Sequence, residues 1–117
     1  IYDVGIETLR SLRPIVQESG CVLWNGPASY FELPEFAFGT IEILNMCIET
    51  EAMTIIGGGH TSALVNSRGA SDKVTHNSTG GGSTMSFLSG DPMPVIGSLK
   101  ESCSIFREKL EDLGLAV

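Results

Sequence analysis

Two glycine triplets stand where bare backbone could meet a ligand. Ile55-Ile56-Gly57-Gly58-Gly59-His60-Thr61 and Ser78-Thr79-Gly80-Gly81-Gly82-Ser83-Thr84 each follow a strand-like run and lead into a helix-compatible one. The first N–H groups of a helix have no acceptor inside it, so such a junction can bind an anion without a lysine. Glycine allows close approach and a turn through positive φ. The plain alternative is a pair of flexible turns. Two triplets after separate strand-like runs favour a phosphate cradle. Glu32 is a second candidate, because a carboxylate can accept two hydroxyl protons at once; alone, it would read as a solvated charge at a helix start.

The elements that would position these groups alternate. Ile6, Leu9 and Val16 fall at helical spacing before Gly20, so residues 6–19 read as an amphipathic helix, which Pro14 should kink or shorten. Cys21-Val22-Leu23-Trp24, closed by Asn25-Gly26-Pro27, reads as a buried parallel strand. Pro34 suits the first turn of a helix carrying Ala37, Ile41, Leu44 and Ile48. Met53–Ile56 is the second strand, and a short helix through Ala63, Leu64 and Val65 follows it. Lys73–Asn77 is a third, weakly apolar strand, followed by a helix through Met85, Phe87 and Leu88 and a break at Gly90-Asp91-Pro92. The pattern predicts an α/β fold, a parallel sheet with flanking helices, whose ligand sits beyond the carboxyl ends of the strands. In the tail, Leu99, Cys103, Phe106, Leu110 and Leu113 form an apolar helical seam that either packs on the chain's own sheet or pairs with another chain.

Composition limits the possibilities. The 117 residues suffice for one domain with a core. A net charge of −7 argues against nucleic acid or an anionic membrane as partner. Cys21, Cys47 and Cys103 are odd in number and lack metal-ligand spacing, which points to reduced thiols and an intracellular, cytoplasmic location. No leader-like or spanning segment is evident. No metal ligands are assigned. The start at Ile1 suggests a piece of a longer product.

Trp24-Asn25-Gly26-Pro27, Phe31-Glu32, Thr54-Ile55-Ile56-Gly57-Gly58-Gly59 and Ser78-Thr79-Gly80-Gly81-Gly82 stand in the order and spacing found in phosphoglycerate kinase. From about Asp3 to Leu99 the chain resembles the last part of that family's C-terminal, nucleotide-binding lobe. The resemblance implies a Rossmann-like half-domain over residues 1–97, followed by an amphipathic helix over 98–117. It implies binding of ATP or ADP with Mg²⁺, in phosphoryl transfer between 1,3-bisphosphoglycerate and ADP. Gly80, Gly81 and Gly82 would cradle the migrating phosphoryl. Gly57, Gly58, Gly59 and Thr61 would hold the nucleotide phosphates, with Asn25, Gly26 and Pro27 alongside, and Glu32 would accept the ribose hydroxyls.

Four departures qualify these roles. His60 replaces the family's usual aspartate, and imidazole is a poor ligand for hard Mg²⁺. Ser29 and Tyr30 stand where a glycine and a small aliphatic residue are common, and their bulk could fill the adenine pocket. Asn77 replaces a valine and needs partners if buried. Nothing corresponds to the family's other lobe or to the earlier half of the nucleotide lobe, so the chain alone should not turn over substrate. Its expected partners are nucleotide, the missing lobes, or another copy bound through the 98–117 helix.

Overall fold

The computed structural model describes residues 1–114, with the side chains of Glu108 and Leu110 outside the description. The chain divides into two compact units, Ile1–Thr84 and a second beginning at Met85.

The first unit holds a three-stranded parallel sheet in the order β1-β2-β3, formed by β1 (Cys21–Asn25), β2 (Met53–Gly57) and β3 (His76–Ser78). Its helices are α1 (Ile6–Glu18), α2 (Phe38–Glu49) and α3 (Gly59–Ser67), with 3₁₀ turns at Pro34–Phe36 and Ser71–Lys73. Asn25 pairs with Gly57 and Gly57 with Ser78, so all three strands end level and deliver their loops to one edge of the sheet. The expected α/β fold with a parallel sheet is present.

Trp24, Leu44, Cys47, Ile56, Leu64, Val65, Ala70 and Val74 form the main core. Leu9, Val16 and Met46 form a second, joining α1 to α2. Helix α2 therefore buries residues towards both clusters, with Thr40, Leu44, Met46 and Cys47 inside and the expected Ile41 and Ile48 only half-buried. Desolvation of Cys47 pushes its thiol up to about 11.

The structure corrects several expectations. β1 is not buried on both faces: Cys21 is exposed and Leu23 is 41% accessible, and only the alternate face, with Val22 and Trp24, lies on the core. Helix α1 is not shortened, since it runs through Pro14 to Glu18. Pro34 starts a separate 3₁₀ turn, and α2 begins at Phe38. β3 starts at His76, after Lys73 in a 3₁₀ turn and a buried Val74. Just ahead of β3, Thr54 N–H donates to Thr75 Oγ1 (3.0 Å) and Thr75 N–H to Thr54 Oγ1 (3.1 Å), extending the ladder by one side-chain rung.

Helix α4 (Gly81–Ser89) starts within the second triplet and leads to Gly90, at φ 77°. The second unit is dominated by α5 (Pro94–Asp112), which starts at Pro94 and has a non-helical residue at Phe106 (φ −105°, ψ 15°). Of the expected seam, Leu99, Phe106 and Leu113 are exposed and Cys103 is half-buried, while the side chain of Leu110 and residues 115–117 of the 98–117 segment lie outside the described residues. Among the described residues no helix is long and apolar enough to cross a membrane.

Candidate functional site

Both glycine triplets become helix starts, as their sequences imply. β2 ends at Gly57, Gly58 takes φ 106° as the N-cap of α3, and α3 begins at Gly59; β3 ends at Ser78 and α4 begins at Gly81. A side chain at Gly58 would be strained by that φ alone.

The two loops touch. Gly58 N–H donates to Ser78 O (3.1 Å) and Gly26 N–H to Gly57 O (3.2 Å), so the loops after all three strands are tied by main-chain bonds. A Cβ on Gly81 would lie 2.7 Å from Gly58 Cα and 2.6 Å from Asn25 Oδ1, and one on Gly57 would lie 2.8 Å from the same oxygen. The Asn25 carboxamide therefore fills the join between the two triplets.

This contact divides the glycines into two groups. Gly57 and Gly81 are small because Asn25, and at Gly81 also the Gly58 backbone, lies against them, whereas Gly58 is held to glycine by its positive φ. At Gly59 and Gly80 a Cβ would make only ordinary contacts, at 3.7 Å or more, and at Gly82 it would meet nothing. The Gly26, Gly58 and Gly80 N–H groups already have acceptors, the last in Ser78 Oγ (3.2 Å). The N–H groups of Gly59, His60 and Thr61 on α3, and of Gly82 and Ser83 on α4, have no acceptor among the described residues. No carboxylate stands in the first turn of either helix, so the positive ends of both dipoles are unopposed there.

Thr61 is fully buried at 0% exposure, and its Oγ1 has no hydrogen-bond partner. A buried hydroxyl left in this way costs about 1–3 kcal/mol unless something else supplies a partner. Pro27 is half-buried, and Glu32 is exposed further along the β1–α2 loop without a partner among the described residues. Together, Asn25, Gly26, Gly57, Gly58, Thr61 and Gly81 are assembled at one place.

The departures have local explanations. Ser29 Oγ bonds Thr40 Oγ1, and the Tyr30 ring tilts against Tyr2 at 6.5 Å between centroids. Asn77 Nδ2 donates to Asn66 Oδ1 and Ser71 Oγ, both at 3.3 Å, while its Oδ1 is unpartnered. His60 is exposed in the first turn of α3, and among the described residues no three His, Cys, Asp or Glu gather where they could hold a metal. The site therefore fits phosphate oxygens through N–H donors and a hydroxyl, but supplies no carboxylate set for Mg²⁺.

Sequence reasoning gave no sign of a cavity of about 310 Å³ between α1 and α2, lined by Ile6, Leu9, Pro14, Phe38 and Met46 with Arg13 and Glu42. Its lining joins α1, from Ile6 to Gln17, to α2, from Phe38 to Met46, a pairing of separate helices that helical periodicity alone does not reveal.

A three-stranded parallel sheet with glycine loops at the carboxyl ends of its strands defines a Rossmann-like α/β protein. The family model described as phosphoglycerate kinase matches residues 1–91, and the chain belongs to that family. It is 46% identical over 99 residues to the phosphoglycerate kinase of Clostridium tetani and 40% over 100 residues to that of Finegoldia magna. These matches cover 85% and 86% of this chain, which spans about a quarter (25%) of each relative. The solved phosphoglycerate kinase structures from Coxiella burnetii and Pyrococcus horikoshii superpose with a TM-score of 0.74 at 33% and 37% identity. They match 83% and 86% of this chain and 25% and 24% of their own.

Proposed function

We propose that the chain is the ATP- or ADP-binding C-terminal segment of a phosphoglycerate kinase-type lobe, holding nucleotide phosphates at the starts of α3 and α4. The observation that carries this reading is the Thr61 hydroxyl, buried without a partner beside free helix-start donors. In this reading Gly59 and Thr61 hold the nucleotide phosphates and Gly82, with Gly80 and Gly81, faces the migrating phosphoryl. Asn25, Gly26 and Pro27 order the join, and Glu32 takes the ribose hydroxyls. Phosphoryl transfer needs positioned donors more than a covalent nucleophile, so this set suits one half of such a site. Transfer between 1,3-bisphosphoglycerate and ADP would require the rest of the length of the relatives, of which these residues span about a quarter, and a cytoplasmic location accords with that chemistry. Bound Mg²⁺ would take its oxygens from phosphate and water, so its contribution should be weaker than in relatives carrying aspartate at the position of His60.

The test is calorimetry of ADP and pyrophosphate, with and without Mg²⁺, on the wild-type chain, Thr61→Val and Glu32→Gln. Thr61→Val should weaken both ligands without lowering the melting temperature, and Glu32→Gln should weaken ADP alone. Equal affinities in all three proteins, or no heat with any ligand, would remove the reading.

A second reading, a non-catalytic relative acting through protein contacts of the 98–117 segment, is favoured by the exposure of Leu99 (65%) and Phe106 (52%) on α5. Light scattering of the chain cut after Gly97 decides it: an unchanged number of copies per particle excludes the tail as a self-contact.

A further inference from the structure

The β1–α2 loop, residues 26–37, carries Pro27 and Glu32, yet its own hydrogen bonds are mostly local. Leu33 N–H donates to Tyr30 O, Phe36 N–H to Leu33 O and Ala37 N–H to Pro34 O, and each closes only a turn. Helix α2, where the loop ends, is poorly started by its own sequence. Its N-cap is Ala37, in αR geometry (φ −87°, ψ −12°), with no side chain able to accept a first-turn N–H.

The missing cap comes from the other end of the sequence. Both carboxylate oxygens of Asp3 accept from Gly39 N–H, at 3.2 and 3.0 Å, and Oδ1 also accepts from Val4 N–H at 2.7 Å. Gly39 is buried, and a Cβ there would overlap Asp3 Oδ1 and Val4 Cγ2, so the segment around Asp3 lies directly on the start of α2. Tyr2, the preceding residue, accepts from Tyr30 N–H through its carbonyl (2.8 Å) and stacks its ring on Phe36 at 4.9 Å. Residues 2–4 thus cross the loop at Tyr30, Phe36 and Gly39, on either side of Glu32. Phe31 leans on the core, leaving Glu32 as the exposed group between these anchors.

We propose that Asp3 is a positioning residue: by capping α2 from outside the helix it fixes the β1–α2 loop in the shape that presents Glu32. The role assigned to Glu32 rests on the nucleotide reading above, whereas the strap rests on the contacts alone.

Hydrogen exchange on the 117-residue chain, compared among wild type, Asp3→Ala and Asp3→Asn, tests the strap. Asp3→Ala should speed exchange over residues 28–39 roughly fivefold, the factor that corresponds to losing one helix cap, and leave Ile56–Thr61 unchanged. Asp3→Asn keeps an oxygen acceptor and should restore most of the protection. An unchanged loop in Asp3→Ala, or uniform acceleration along the whole chain, would overturn the proposal.

The same proteins titrated with ADP and with pyrophosphate test the link to Glu32. Asp3→Ala should weaken ADP and spare pyrophosphate, which reaches only the helix starts. Equal weakening of both, or of neither, would overturn the positioning role. If wild type binds neither ligand, the nucleotide reading fails, and the exchange result alone decides the strap.

Discussion

Gly81 and Gly82 are neighbours with different reasons for being glycine. At Gly81 a methyl group would meet Gly58 Cα at 2.7 Å and Gly58 N at 2.8 Å, and backbone cannot swing aside. Gly81→Ala should cost about 1–3 kcal/mol in urea unfolding, whereas Gly82→Ala meets nothing and should leave stability unchanged or raise it by up to about 1 kcal/mol. Equal effects would show that the two loops do not touch. Cys47 gives a second test at this scale. Its folded value of about 11 lies above the ordinary 9.0, so below pH 9 both folded and unfolded chains hold the proton. Between pH 9 and 11 the unfolded chain releases it first, and stability should fall with rising pH by on the order of 2 kcal/mol. Unfolding curves of wild type and Cys47→Ala across that window should converge as pH rises; parallel curves would refute the assignment. The sequence singled out these glycines as two triplets that each follow a strand-like run. It did not show which glycines pack and which stay open, since that depends on Asn25, brought in from another strand.

Helix and strand types were legible from periodicity and punctuation, and their limits were less so. Gly20 marked the end of α1 correctly to within a residue or two, but Pro14 misled: its lost N–H removes one bond, while Leu9 and Val16, on the core to either side of it, hold the helix in place. Pro14→Ala should supply that bond to the carbonyl of Arg10 and raise stability by about 1–3 kcal/mol in thermal or urea unfolding. A destabilised variant would instead mean that the ring itself packs usefully at the α1–α2 cavity it lines. β1 read as doubly buried because a run of four apolar residues does not show which of its two faces lies off the core. The capping of α2 by Asp3 was invisible, since a cap is normally sought next to its helix and this one lies 36 residues away.

At the scale of the molecule, the chain spans a quarter of its relatives' length, and the proposed chemistry needs what they have in addition. We expect no detectable phosphoryl transfer from 1,3-bisphosphoglycerate to ADP by this chain alone, and recovery of some when the remaining lobes of a relative are supplied. A coupled assay that detects turnover by the chain alone would show that the second lobe is dispensable. The proposed division at residue 97 predicts that a chain cut there keeps its affinity for pyrophosphate, measurable by the same calorimetry; loss of binding would place part of the cradle's support in the tail. One consequence of the Thr54–Thr75 exchange of hydrogen bonds reaches across the sheet. Because β3 is only three residues long, this hydroxyl clasp sets how far the third strand slides along the second. The two glycine mouths are therefore aligned from both ends of the strands, by the threonines at one and by the Gly58–Ser78 bond at the other, so a drift of one step at the threonines would have to break the main-chain tie at the mouths as well.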